Sequence, residues 1–243
     1  TNDGTISQKD VKIAGDFANN NSLTATTNFE NTGTITGNNG NLTVKDGSST
    51  GSITQNNVSV NGTFTNSNSI TAVTKLLNGG EFTNDATGSI TAATIENSVG
   101  KTFTNDGAAA AAVTNRGRFN NNGTVTGTVS NVSGATFTNT GTIGSASSKA
   151  NIINSGTFNA NSGTLNVDKI TNNAGTFTNK VASTLGSIDN KNGATYNNEA
   201  ATTVTAVTNA GIFNNKADLT ATTVANTNTF TNTSNLTADN LTN

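Results

Sequence analysis

Few side chains in this sequence could do chemistry, and their spacing limits what that chemistry could be. The 243 residues include no His and no Cys. Nucleophilic sites built on Ser-His or Cys-His pairs are therefore excluded, as are disulfides and thiolate metal centres. There remain 14 acidic and 12 basic residues, a formal net charge of −2. Sugar cleavage by a carboxylate pair needs two acids gathered on one face. Only Asp85 and Asp106 recur at the same position of adjacent repeats. A polysaccharide-active β-helix enzyme would rest on those two alone, and the expectation is a chain that is not an enzyme. No phosphate-cradling loop leads into a helix, and the calcium-binding nonapeptide is missing. No cofactor and no metal are expected. Arg116 and Arg118, flanking Phe119, make the one local basic spot. Nucleic acid is not an expected partner, and no apolar run is long enough for this segment to insert in a membrane.

The elements that would position these groups are repeats. Phenylalanine stands at Phe17, Phe29, Phe64, Phe82, Phe103, Phe119, Phe137, Phe158, Phe177, Phe213 and Phe230, and the single tyrosine, Tyr196, fits the series. Beyond a first step of 12 and a gap of 35 that is two steps, the spacing runs from 16 to 21 residues. That period is too short for two-helix repeats and fits one coil of a β-solenoid. In the long gap Val44, Asp46 and Ile53 are assigned the aromatic, Asn and aliphatic roles. Two residues after the aromatic comes Asn, at Asn19, Asn31, Asn66, Asn84, Asn105, Asn121, Asn139, Asn179, Asn198, Asn215 and Asn232; only Ala160 departs. An aliphatic follows, as at Leu23, Ile35, Ile70, Ile90, Val125, Ile143, Leu165, Leu185, Val204, Leu219 and Leu236. A second Asn precedes the aromatic by four, at Asn78, Asn115, Asn154, Asn209 and Asn226.

These offsets predict an all-β, single-stranded parallel β-helix of roughly 13 coils, a rod roughly 60 Å long at the usual strand spacing. Phe stacked on Phe would form an internal aromatic ladder. The repeated Asn would sit at turns, where it tolerates left-handed geometry, and its amides would bond in an Asn ladder. Thr and Asn number 49 and 45 of the 243 residues, and Pro is absent. Threonine suits strands, and the lack of proline leaves backbone ladders unbroken. Residues 37–62 read as an irregular coil, 108–112 as a narrowed one and 144–150 as a small protruding turn. Otherwise 1–243 reads as one continuous solenoid segment. Charges cluster three residues after the aromatic, and Lys180, Glu199 and Lys216 would form a surface charge ladder of alternating sign. Thr1–Ile6 reads as a repeat without its Phe, and Asn240–Asn243 as the strand before one. Both ends thus stop inside a coil, as in a segment of a longer array with uncapped edges.

Runs such as Ala135-Thr136-Phe137-Thr138-Asn139-Thr140-Gly141-Thr142-Ile143, Gly175-Thr176-Phe177-Thr178-Asn179 and Asn31-Thr32-Gly33-Thr34-Ile35-Thr36-Gly37 cover nearly the whole chain. In them the chain resembles the repetitive passengers of bacterial autotransporters and filamentous-haemagglutinin-like surface adhesins. The resemblance implies a right-handed β-helix, secretion to the cell surface or beyond, and a role in adhesion, aggregation or biofilm. It implies self-association, end to end or lateral, or binding to host or matrix glycans or surface receptors. A rival reading is an ice-binding solenoid, drawn from Thr34-Ile35-Thr36, Thr124-Val125-Thr126 and Thr203-Val204-Thr205. In it the aliphatic points inward and the two threonines outward. At the same outward position Ser22, Ser69, Ser89, Asp218 and Asn235 interrupt the array.

Overall fold

A computed structural model describes residues 1–243, which make about 13 turns of a parallel β-solenoid with no helix. By compactness the chain divides into two units, Thr1–Val125 and Thr126–Asn243. The regular coils have a short strand that ends on Asn, a turn, a longer strand that also ends on Asn, and a second turn. Thr63–Asn66 and Ser69–Asn78 are one such pair. Alternation of small polar and apolar residues over these stretches gives one inward and one outward row per strand. Every strand pairs in parallel with its counterparts in neighbouring coils. Each residue type therefore stacks on its equivalent and makes a column.

In the first unit the aromatic column runs Val11, Phe29, Gly47, Phe64, Phe82, Phe103 and Phe119. In the second it runs Phe137, Phe158, Phe177, Tyr196, Phe213 and Phe230. The rings lie nearly parallel, with centroids 4.7 Å apart and planes at 5° for Phe103 and Phe119, and 4.8 Å and 5° for Phe137 and Phe158. Strand spacing sets this distance, and it falls in the favourable range for stacked rings. A column of aliphatics, Leu42, Val58, Leu76, Ile95 and Val113 in the first unit, fills the opposite side of the core. Ile152, Ile170, Ile188, Val207 and Val224 do so in the second.

Register corrects the sequence-based columns at four places. Phe17 does not join the aromatic ladder. It pairs with Ile35 at the head of an aliphatic column, and Val11 holds the aromatic slot before Phe29. Its 12-residue distance from Phe29 was shorter than any other step, because Phe17 belongs to another side of the coil. Asn19 shifts with it and bonds Asn2 and Gln55 instead of Asn31. Ile6 and Leu23 shift as well, into the column of Leu42 and Val58. Second, Gly47 occupies the missing aromatic slot and Ser49 the Asn slot, while Val44 packs against Ala25 and Val60. A Cβ on Gly47 would lie 2.0 Å from the Phe29 carbonyl oxygen. With no side chain there, Phe29 and Phe64 lean across the intervening coil to a centroid distance of 6.3 Å. Third, Leu185 and Val204 stack on each other one inward position later than assigned, and Ser183 and Thr202 hold the earlier slot. Fourth, the repeated Asn are not left-handed. Positive φ occurs only at glycines, and from Asn66 to Asn215 each Asn of the series closes its strand in extended geometry with the side chain buried.

The alanine run forms the strand Ala108–Asn115, with Ala109 inward beside Ile90 and Val125. Residues 145–149 form the expected exposed turn, tied by Ser145 and Ser148.

Candidate functional site

The most elaborate chemistry in the molecule is internal and structural. Asn66, Asn84, Asn105 and Asn121 are fully buried, and each Nδ2 donates to the Oδ1 of the next at 2.8 Å. A second ladder runs through Asn78, Asn97 and Asn115 in the first unit. In the second unit it runs through Asn131, Asn154, Asn172, Asn190, Asn209 and Asn226 at 2.7–2.8 Å. Each amide does more than bond its neighbour. Asn78 Nδ2 also donates to the carbonyls of Gly80 and Thr102, and its Oδ1 accepts the Gly80 N–H. The side chain so satisfies backbone groups that the turn would otherwise bury unpaired.

Ala160 interrupts the first ladder between Asn139 and Asn179, and one coil on the polar pair Ser183 and Thr202 bridges Asn179 to Asn198. Asn179 Nδ2 donates to both hydroxyls at 3.1 Å, and the Thr202 hydroxyl donates to Asn198 Oδ1 at 2.7 Å. The ladder then continues to Asn215 and Asn232. In the first unit Gln55, also fully buried, completes a short polar stack with Asn19 and donates to the carbonyls of Asn19, Thr36 and Thr54. Three atoms break the pattern of satisfaction. Asn31 Oδ1, Asp189 Oδ1 and the Tyr196 hydroxyl are buried without a hydrogen-bond partner. Burial pushes the Tyr196 phenol well above the ordinary tyrosine range.

The surface carries simpler groups. Asp85 accepts the N–H groups of Thr87 and Gly88 and the Thr87 hydroxyl. Hydrogen bonds from the side chains of Ser67 and Thr87 hold its carboxyl below the usual range. Asp106 accepts from Asn122 at 2.7 Å. Asp85 is occupied within its own turn and Asp106 in a bond to the next coil, and no group of three acids gathers anywhere in the chain. Of the expected charge ladder, Lys216 and Glu199 meet at 3.0 Å. Lys180 stays exposed outside it. Two clusters of charge went unread in the sequence: Lys75 and Arg116 around Glu96, and Lys169 and Lys191 around Asp189. Lys75, Arg116 and Lys169 reach their acids from neighbouring coils, which only the register could reveal, whereas Lys191 stands two residues from Asp189 in the same coil. Arg116, from the basic spot beside Phe119, is thereby an exposed ion-pair partner.

Flanking the buried rings of the second unit are two outward columns. Thr136, Thr157, Thr176 and Thr195 stand in line, followed by Ile212 and Thr229. Beside them run Thr138, Asn159, Thr178, Asn197, Asn214 and Thr231, partly tied by Asn214 donating to Asn197 and Asn197 to Thr178. These columns contain no charge. Apart from the exposed Ile212 they present hydroxyls, methyls and amides. No protein family, curated protein or solved structure matches the chain.

Proposed function

We propose that the chain is a non-catalytic, structural and adhesive segment of a bacterial cell-surface or extracellular fibre. The observation that carries this reading is the interior. Rings, aliphatics and amides each stack coil on coil, so a coil needs only its neighbours and the pattern extends by repetition. Such a core builds length. Uncharged threonine and asparagine columns outside it offer hydrogen bonds to a glycan or to a second copy without strong electrostatic selection. Secretion and a place at the cell surface follow from the resemblance to autotransporter passengers and filamentous-haemagglutinin-like adhesins. The first test is electron microscopy of the purified protein over a concentration series. Filaments much longer than one molecule, or lateral bundles that grow with concentration, are expected. Compact featureless particles at every concentration would overturn the reading.

One observation favours a second reading. The threonine column from Thr136 to Thr195 is more regular than the Thr-x-Thr pieces in the sequence suggested, and a flat hydroxyl array can order water. Thermal hysteresis by the intact protein, lost on Thr176→Lys, is the outcome that reading requires.

A further inference from the structure

Five asparagines precede glycine: Asn39, Asn61, Asn78, Asn122 and Asn192. In such pairs the glycine nitrogen can attack the asparagine side-chain carbonyl. A bond forms between that nitrogen and Cγ, the Cγ–Nδ2 bond breaks, and ammonia leaves. Water then opens the resulting succinimide at either carbonyl and gives aspartate or isoaspartate. The step needs no redox partner, but it does need a glycine N–H that is not engaged elsewhere and a turn with room to move.

Four of the five pairs fail that requirement. The N–H of Gly40 donates to Gly37 at 3.0 Å, that of Gly62 to Lys45 at 2.8 Å, that of Gly79 to Val60 at 2.6 Å and that of Gly123 to Asn105 at 2.8 Å. Asn78 is further locked as a buried member of the second ladder. The fifth pair is different. Gly193 N–H makes no hydrogen bond, and neither does the Asn192 side chain; both residues are exposed. Gly193 has φ of +80°, and a Cβ placed on it would meet nothing within 4 Å.

We propose that Asn192 is a site of spontaneous deamidation, set apart from the other Asn-Gly pairs by its open turn. The product carboxylate arises next to Lys191, whose Nζ lies 2.7 Å from Asp189. The group of Lys169, Asp189 and Lys191 then loses its excess positive charge, and Lys191 has a second acid within its reach. Ageing of the protein thus converts a basic spot on this turn into a neutral one.

The test is peptide mapping by mass spectrometry after incubating the folded protein in mildly alkaline water enriched in heavy oxygen. Label should enter at residue 192 at least about tenfold faster than at Asn39, Asn61, Asn78 or Asn122, because those sites react only after local opening. In the urea-unfolded chain the five rates should converge. Asn192→Gln should remove the fast phase and its acidic charge variant on ion exchange. Labelling of any other pair as fast as Asn192 in the folded protein, or an Asn192 as inert as Asn78, would overturn the proposal.

Discussion

Removing one oxygen from the core should make this protein more stable. Tyr196 stacks between Phe177 and Phe213 at centroid distances of 5.1 and 4.9 Å, fully buried, with no partner for its hydroxyl. Phe fills every neighbouring slot of that column, so Tyr196→Phe keeps the ring and its stacking. The substitution deletes only the polar atom. An unsatisfied buried hydroxyl costs about 1–3 kcal/mol, and the variant should gain that amount. For a chain of this length the gain raises Tm by about 2–4 °C per kcal/mol. Urea and thermal unfolding of the two proteins measure it. The pH dependence gives an independent reading. Burial raises the phenol's folded pKa above its unfolded value. Below the unfolded pKa, about 10, both states hold the proton and the phenol has no pH effect. Above it the unfolded chain releases a proton that the folded chain keeps, so stability falls by up to about 1.4 kcal/mol per pH unit. The variant should lack this alkaline loss. As Tyr196 is the only tyrosine and there is no Trp, tyrosinate absorbance reports the site directly. A phenol that titrates near its ordinary value while the protein stays folded, or a variant less stable than the parent, would refute the reasoning.

Other substitutions probe other columns. Thr202→Val removes the hydroxyl that joins Asn179 to Asn198 and should cost about 1–3 kcal/mol in urea unfolding at nearly constant volume; a neutral result would mean the ladder does not need its bridge. Gly47→Ala puts a Cβ against the Phe29 carbonyl and should destabilise by about 1–3 kcal/mol, whereas a stabilised variant would contradict the close approach of these coils. Phe103→Ala opens a cavity in the middle of the ring stack and should cost about 3–5 kcal/mol. Glu199→Gln, by contrast, should change stability by less than about 1 kcal/mol and the difference should vanish in high salt.

How much of this was legible beforehand depended on landmarks. A solenoid was readable because Phe and Asn keep a fixed offset where strands are uniform, from Phe64 onward. The first coils lost that clarity because Val11 and Gly47 hold aromatic slots that carry no ring, and Phe17 offered a ring in the wrong column. Four of the nine asparagines of the second ladder were missed for a related reason. Asn97, Asn131, Asn172 and Asn190 precede turns longer than the rest, such as Ser98-Val99-Gly100-Lys101, so counting back from Phe skipped them. Counting from the preceding strand would have found them. The substitution of Ser183 and Thr202 for an aliphatic could not be read at all. Its sense lies in the bridge it makes between Asn179 and Asn198, which only the register brings together. The charge cluster around Glu96 and the Lys169–Asp189 pair likewise exist only through register.

The buried amides all face one way. In both units the rungs between inner asparagines run from the Nδ2 of an earlier residue to the oxygen of a later one, from Asn66 to Asn84 to Asn105 and from Asn131 through to Asn226. The dipoles of neighbouring backbone groups in a sheet largely cancel; those of the side-chain amides add. Each unit therefore has an electrical direction along its coil axis, positive toward later coils, like a stack of small magnets laid head to tail. A coil presented upside down would set donor against donor at both ladders. The asparagines thus act as a polarity code: they allow a new coil to be laid down in one orientation only, before any outward side chain is consulted.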